Sequence, residues 1–382
     1  MVKAQMAQPH LLHVFPSFEA AGAQARTAAL MAGFGDRFRH TLVALDDQWG
    51  ALQWVPDSVD LTRADLPSRS GPLATVRGLR RLLQERRPQL LCTYNWGSFD
   101  AVLAARWNGQ RAHVHHEDGF HAAEASAQHK RRVWARRLAL RRISGLAVPS
   151  EKLSQLASAS WRLPEDKVHW IPNGVDTDRF RPDAEAADLR QEIGVEADAW
   201  VIGAVGRLNP VKRFDRLIRA CARLAKQDRP IHLWIAGQGD QRRELEALAV
   251  EHRPPGGRVH FLGYRSDLEP LYRSFDAFVI SSDSEQQPVS QLEAMASGVP
   301  LVATAVGDVP GTLPEQGRSL LVDLGDDDVE GALAAQLDRL LASASLREEL
   351  AQLGRARVLE QYSRATMLEA YRRLYDGALD PA

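Results

Sequence analysis

Two cysteines in 382 residues, Cys92 and Cys221, are too few for a disulfide framework, and neither sits at a metal-ligand spacing. Both fall in apolar or helical runs and read as reduced, buried small residues of a cytosolic protein. No stretch approaches the roughly 18 consecutive apolar residues that a membrane-spanning helix requires. The first residues hold neither a long apolar segment nor a cleavage site, so no signal peptide is expected. An Asp-rich metal motif is missing, as is the glycine-lysine loop of nucleoside triphosphatases. Net charge is nearly missing too, with 48 Lys+Arg against 49 Asp+Glu. That balance hides an asymmetry. Residues 1–170 hold 23 cations against 15 acids, a surplus of 8, and the remainder 25 against 34, a deficit of 9. A basic first half points to an anionic partner there.

What is present is ordinary in bulk: 45% apolar and 25% charged residues, as in soluble globular proteins. The length exceeds one ordinary core and predicts two domains. Strand and helix patterns alternate from His10–Phe15 onward: strands at 40–45, 89–94, 112–116 and 145–149, helices at 26–34, 73–87, 99–107 and 151–159. Such alternation predicts βαβ units and a parallel sheet. Pro172-Asn173-Gly174 breaks both periods and marks a connector. A second series then begins, with strands at 200–206, 231–237, 258–263, 275–280, 299–304 and 319–324. Its helices fall at 214–226 and 242–249, and helices close the chain, the last at 362–379.

The most informative stretch runs from Ser281 to Gly298. A buried strand ends in small polar residues and an acid, Pro288 sits where a first helical turn accepts proline, and Gly298 supplies the stop. The helix start presents the N–H groups of Val289 and Ser290 to an anion such as phosphate. Glu285 and Glu293 fall near the same crevice at the strand ends, where open α/β sheets bind ligands. Carboxylates only accept hydrogen bonds, and sugar hydroxyls donate them. Phosphate and hydroxyls together describe a nucleotide sugar. Arg207 and Lys212, flanking the turn after the strand at 200–206, could clamp a diphosphate.

In the first half, Gly22 opens a helix after the first strand, either as a plain tight turn or for close approach to a phosphate. His115-His116-Glu117-Asp118-Gly119-Phe120 ends the fifth strand, where histidines and acids could polarise an acceptor hydroxyl or form a simple surface turn; its spacing suits no zinc site. Residues 129–142 carry seven cations and no acid, with Val133, Trp134, Leu138 and Leu140 among them. Two readings stand: an interfacial helix on anionic lipid, or a solvated face. No aromatic-and-basic module argues for nucleic acid.

Taken in order, several segments resemble the large family of retaining GT-B glycosyltransferases known as family four, or glycosyl transferases group 1. They are Gly22-Ala23-Gln24, Ile171 to Asp176, Gly206-Arg207-Leu208 with Lys212, Ala236 to Gly239, Leu262-Gly263, and Glu285 followed after seven residues by Glu293 to Thr304. The resemblance implies two facing Rossmann-like domains with parallel sheets and a cleft between them. Residues 1–175 would bind the acceptor and residues 176–361 the nucleotide sugar, with 362–382 a helix crossing back. By family likeness, Glu285 would bind hydroxyls of the transferred sugar and Glu293 those of the ribose. Arg207 and Lys212 would neutralise the diphosphate, with Pro288, Val289 and Ser290 beside it. Gly22 would approach the phosphates and Arg265 would lie where the base is gripped. His116 or Asp118 would meet the acceptor, as would Gln24. The family commonly has Gly after its first glutamate, whereas Gln286-Gln287 stand here, as in one subgroup.

The activity so implied is retaining, metal-independent transfer of a hexose from a nucleotide-diphosphate sugar, a UDP-sugar in preference to a GDP-sugar. The acceptor would be a hydroxyl of a saccharide or lipid-linked saccharide in bacterial exopolysaccharide, lipopolysaccharide or glycolipid synthesis. No cofactor is expected. The placement implied is cytoplasmic, or peripheral on the inner face of the plasma membrane through 129–142. Two alternatives remain: a nucleotide-sugar epimerase or phosphorylase on the same scaffold, or a non-catalytic partner subunit. A phosphorylase would need a cofactor-binding lysine signature, which is absent, and intact Glu285, Glu293, Arg207 and Lys212 weigh against the subunit.

Overall fold

The computed structural model describes residues 8–66, 71–119, 129–182, 189–224 and 229–380. The expected segments that reach Phe120 and Lys226 run at those positions outside the described residues. The chain divides into two compact units, Met1–Asn173 with Ala365–Ala382, and Gly174–Arg364.

Unit 1 holds β1 (His10–Phe15), β2 (Arg39–Ala44), β3 (Leu61–Arg63), β4 (Leu90–Tyr94), β5 (His113–His116), β6 (Gly145–Val148) and β7 (Val168–Trp170). They pair in parallel in the order β3-β2-β1-β4-β5-β6-β7. Crossover helices cover both faces of a parallel sheet, so the central strands read as continuous apolar runs. On one face Leu12, Val14, Val43 and Leu91 pack on Leu79, Leu82 and Leu83. On the other, Leu11, Phe15, Leu42 and Cys92 meet Met31 and, from the helix Arg364–Leu379, Met367, Tyr371 and Leu374.

Histidines interrupt this apolar pattern and are paired where they are buried, as buried polar groups must be. His13 Nδ1 lies 2.8 Å from Tyr94 Oη and its Nε2 3.0 Å from His40 Nδ1. Thr93 Oγ1 lies between His113 Nε2 at 2.8 Å and His115 Nδ1 at 2.7 Å.

Unit 2 holds β8 (Trp200–Val205), β9 (Ile231–Ala236), β10 (Val259–Gly263), β11 (Ala277–Ile280), β12 (Leu301–Thr304) and β13 (Leu321–Val322). Their order is β10-β9-β8-β11-β12-β13, again parallel. In each unit the first strand lies inside the sheet and the order reverses beside it, between β1 and β4 and between β8 and β11. Neighbouring loops diverge at such a reversal and leave a crevice at the carboxyl ends of the strands.

Four departures from the sequence reading have local causes. The strands β3 and β7 are three residues long, lie at the sheet edges and are only partly buried, so they carry no apolar run. Expected strand 319–324 is instead a 3₁₀ turn, Gln316–Leu320, followed by the short β13. The first helix starts at Gly22 rather than at Arg26. Finally, Pro288 precedes its helix, Val289–Ala296, as the N-cap rather than entering the first turn.

The basic segment forms a helix, Lys130–Ala139, and a 3₁₀ turn, Leu140–Arg142. Arg136 is buried within it. It pairs with Glu117 at 3.1 Å and lies over the Trp161 ring at 4.8 Å. The acid missing from this helix is therefore supplied by the end of β5. No helix among the described residues is long and apolar enough to cross a membrane.

Candidate functional site

In unit 2 the site grows from two loops at the sheet reversal. The loop after β8 turns through Asn209, whose side chain accepts from the Lys212 N–H at 3.2 Å and so caps the 3₁₀ turn Pro210–Lys212. The loop after β9 lies flush against it. A side chain at Gly237 would place its Cβ 1.8 Å from Gly206 O, and one at Gly239 would meet Leu208 O at 2.2 Å. Glycine is required there by contact.

The loop after β11 is then fastened to the β8 loop. Asp283 N–H donates to Val211 O at 2.9 Å and Ser281 Oγ to Lys212 O at 2.9 Å. Arg216 crosses between them, donating to Ser281 O at 2.8 Å and pairing with Asp283 at 2.7 Å.

This fastening brings Lys212 and Glu285 together, Nζ to Oε1 at 2.5 Å, and the same oxygen accepts from Ser282 Oγ at 2.6 Å. Sequence reasoning assigned that cation to a diphosphate and that carboxylate to sugar hydroxyls. Here each is the other's partner, with side chains 23% and 10% exposed. A ligand entering the site would meet a ready pair rather than two separate charges. The Glu285 backbone is fixed from behind. Gly307 sits at φ 53°, a Cβ there would lie 1.8 Å from Glu285 O, and the next residue's N–H donates to Gln286 O at 2.8 Å.

The helix Val289–Ala296 begins immediately after this loop. The N–H groups of Val289 and Ser290 belong to its first turn and so have no carbonyl within the helix to bond. Gly298, at φ 73°, ends it, with Val299 N–H donating to Ala294 O at 2.9 Å. Inside the helix, Glu293 is half-buried and accepts from the Tyr272 hydroxyl at 2.7 Å. Burial pushes its carboxyl above the ordinary value, partly offset by that bond and by Arg179. Arg179 itself is paired with Glu269 and donates to Ser266 O at 2.9 Å. Arg207 is exposed on the β8 loop. Arg265 turns onto its own loop, bonding Asp267 through two nitrogens at 3.0 and 2.5 Å.

Unit 1 repeats the construction more tightly. Asn95, at the end of β4, adopts φ 56° and its side chain accepts from the Asp118 N–H at 2.7 Å. Asp118 also pairs with the buried Arg26, which donates to Asn173 Oδ1 at 3.1 Å. The second carboxylate oxygen of Asp118 is buried without a hydrogen-bond partner. His116 is fully buried, stacked between Tyr94 at 4.5 Å and Tyr371 at 5.7 Å, with Tyr375 Oη 3.3 Å from its Nε2. Burial and the nearby Arg26 hold its pKa well below the usual histidine value. Its Nδ1, like the second oxygen of Asp118, is buried without a hydrogen-bond partner.

Gln24 is nearly buried and donates to Ser17 O at 2.8 Å, tying its helix to the preceding loop. Gly22 is exposed, and a Cβ there would meet no atom within 4 Å. Sequence reasoning missed Ser282, Tyr272, Arg179, Arg26, Asn95 and Asn173. Ser282 lay inside the stretch already singled out and Asn173 inside the connector Pro172-Asn173-Gly174, and the others are brought in by topology alone. Among the described residues no group of His, Cys, Asp or Glu is placed to hold a metal ion.

Two family profiles match the chain: a glycosyl transferase 4-like domain over residues 21–174 and glycosyl transferases group 1 over residues 199–343. A D-inositol 3-phosphate glycosyltransferase of Saccharomonospora viridis is 30% identical over 302 residues, covering 72% of this chain and 68% of its own. The chain belongs to the group 1 glycosyltransferases. A second relative of this glycosyltransferase is the lipopolysaccharide core biosynthesis enzyme LpsE of Rhizobium meliloti, 35% identical over 165 residues, 43% of this chain and 46% of that one. Among solved structures, HepE of Anabaena in complex with UDP and glucose superimposes with a TM-score of 0.81 at 22% identity, covering 96% of this chain and 98% of that one. The glycosyltransferase thus has the α/β GT-B fold, with two Rossmann-like parallel-sheet domains.

Proposed function

We propose that this glycosyltransferase retains anomeric configuration and moves a hexose from a UDP-sugar to a hydroxyl of a saccharide or lipid-linked saccharide, without a metal, in the building of a bacterial surface polysaccharide or glycolipid. The observation that carries the reading is the Lys212–Glu285–Ser282 cluster at the reversal of the unit 2 sheet, one loop away from a helix start. The UDP and glucose of the Anabaena structure and the lipopolysaccharide role of the Rhizobium relative support the donor and the pathway.

In this reading the diphosphate sits against the first-turn N–H groups of Val289 and Ser290, with Pro288 beside it and Lys212 and Arg207 facing the charge that collects as the sugar–phosphate bond breaks. Preorganised donors of this kind act where charge develops and need no reorganisation at the moment of reaction. Glu285, released from part of its contact with Lys212, accepts from hydroxyls of the transferred sugar, and Glu293 from the ribose. Gly22 leaves room for backbone approach to a phosphate. Arg265 stands with Asp267 near the base, contributing through backbone. Attack comes from the leaving-group side, with a phosphate oxygen taking the acceptor proton.

In unit 1 the acceptor hydroxyl donates to Asp118, which Arg26 and Asn95 hold in place. His116, stacked between Tyr94 and Tyr371, is the second candidate for that contact, and Gln24 fixes the helix start. The enzyme works at the inner face of the plasma membrane, which it meets through the basic residues of 129–142. Calorimetry against UDP- and GDP-sugars in the presence of chelator, followed by NMR of the product anomer, tests the reading. Binding of a UDP-sugar and a product anomer matching the donor are expected. An inverted product would overturn retention, and donor consumption without any acceptor would favour an epimerase.

A further inference from the structure

The carboxylates of Glu285 and Glu293 share a feature that their spacing in the sequence does not show. Each has one oxygen taken by a protein hydroxyl, Ser282 Oγ on Glu285 Oε1 at 2.6 Å and Tyr272 Oη on Glu293 Oε2 at 2.7 Å. In neither does the second oxygen accept from a described residue. The two hydroxyls differ in origin. Ser282 belongs to the same loop as Glu285, whereas Tyr272 comes from a separate element, the helix Leu268–Arg273, 21 residues before Glu293.

Tyr272 is fully buried. Phe180 and Phe275 meet its ring edge-on, each with centroids 5.8 Å away, and Phe278 lies tilted against it at 5.6 Å. The Phe275 N–H donates to Tyr272 O at 3.0 Å, and the chain then enters β11. A phenol enclosed in this way keeps one orientation, and it has a single proton to donate. Burial and the neighbouring carboxylate hold that phenol far from ionisation, so it remains a donor.

The charged groups around Glu293 act on it less directly. Arg179, from the segment after the connector, favours the carboxylate, and Glu269, on the Tyr272 helix and paired with Arg179, opposes it. From the helix Ala344–Gln361, which packs on the Glu293 helix, Arg355 donates to Ala296 O and, at 3.2 Å, to Phe180 O. Among the described residues Tyr272 is therefore the one hydrogen-bond donor to the carboxylate. Such a bond favours the charged form of a buried acid and fixes which of its oxygens is occupied.

We propose that Tyr272 is a positioning residue of the nucleotide site, its hydroxyl holding Glu293 Oε2 so that Oε1 is presented to the ribose hydroxyls of the donor. This role rests on the assignment of Glu293 to the ribose made above and adds the group that orients it. Tyr272 touches no ligand and acts through Glu293.

The test compares the wild-type chain with Tyr272→Phe, which keeps the ring and removes the hydroxyl. Calorimetry is run across pH with two probes, UDP and its dideoxy analogue, which lacks both ribose hydroxyls. The analogue carries the same diphosphate and so corrects for its titration. Wild type should prefer UDP, the preference growing as pH rises through the ionisation of Glu293. In Tyr272→Phe the same growth should come about one to two pH units higher, as the loss of a hydrogen bond to a charged group implies. Between the two midpoints UDP should bind the variant about tenfold or more weakly. The dideoxy analogue should bind both proteins alike at every pH.

If Tyr272→Phe keeps the wild-type profile, or weakens both probes equally at every pH, the hydroxyl is structural only; the proposal fails and the ribose assignment stands. If wild type binds both probes alike, the ribose assignment is wrong and the proposal falls with it. Thermal melting confirms that the variant is folded. If it is not, Tyr272 is replaced by a ring-fluorinated tyrosine, a stronger donor in the same enclosure. The midpoint should then move to lower pH, and an unmoved midpoint overturns the proposal.

Discussion

Replacing Lys212 by Ala removes one cation from the half-buried cluster with Glu285 and Ser282, and two consequences can be separated. In the resting protein, Glu285 Oε1 loses its contact at 2.5 Å and keeps the Ser282 hydroxyl at 2.6 Å. A carboxylate left short of a partner costs about 1–3 kcal/mol. Because Glu285 keeps some exposure and water can approach, the lower end of that range applies. A melting temperature lower by about 2–4 °C is expected, since about 1 kcal/mol shifts a domain of this size by that much. In the proposed reaction, where Lys212 faces the leaving diphosphate, loss of one such preorganised group should cost about 10²–10³ in turnover. The two effects thus differ sharply in size. Turnover of a UDP-sugar is measured by chromatographic release of UDP, and stability by thermal melting of the same preparation. Lys212→Ala should melt slightly lower and turn over at least about a hundredfold more slowly. Should it melt lower and keep near-full turnover, the pair is structural only and the leaving-group argument is wrong.

Burial of Glu293 favours its protonated form, so its native pKa lies above the unfolded value. The contribution to folding is present below the unfolded pKa and is lost as pH rises through the native one. With Glu293 accepting from the ribose as proposed, binding of UDP should strengthen over that same rise; calorimetry across pH should show the trend, and Glu293→Gln should flatten it. A wild-type affinity independent of pH would contradict the assignment. Gly307→Ala puts a Cβ against Glu285 O at a positive φ. A loss of about 1–3 kcal/mol of stability is expected, with a displaced Glu285 and reduced turnover; unchanged melting would show that the loop can shift freely. In unit 1, burial lowers His40 to about 4 and His113 to about 3. Their unfolded-state protonation near 6.5 means that stability is present above that pH and lost as pH falls toward about 4. A melting temperature that stays level from neutral pH down to about 5 would refute this.

Why some of the molecule could be read from sequence and some could not follows from where the causes lie. The buried strands β1, β4, β8, β9 and β11 announce themselves because a parallel sheet covered on both faces demands mainly apolar runs, even where His10, His13, Thr93 and His232 interrupt them. Gly298 and Pro288 mark the ends of one helix because backbone conformation limits which residues fit there. Edge strands β3 and β7 meet no such demand and leave no trace. At the candidate site, local signals singled out Glu285, Lys212 and Glu293 but not the side chains that contact them. The Lys212–Glu285 contact spans 73 residues and the Arg26–Asn173 bond spans 147. Only the sheet order, which sets β8 beside β11, decides which loops meet.

The same reasoning explains why His116 and Asp118 could not be told apart beforehand. His116 ends β5 and Asp118 follows two residues later, and alternation along an extended chain would put residues with that spacing on the same side. What surrounds them comes from elsewhere: the helix Arg364–Leu379, joined to unit 1 from the far end of the chain, brings Tyr371 and Tyr375 onto His116, while Arg26 and Asn95 hold Asp118, and each keeps one buried polar atom without a hydrogen-bond partner. A charge pattern read along the chain likewise gives every cation of 129–142 the same role. Packing against Glu117, Trp96 and Trp161 engages Arg132 and Arg136 within unit 1 and leaves Lys130, Arg131, Arg141 and Arg142 exposed. Composition identifies which groups a protein has available, and long-range topology decides which of them remain for chemistry.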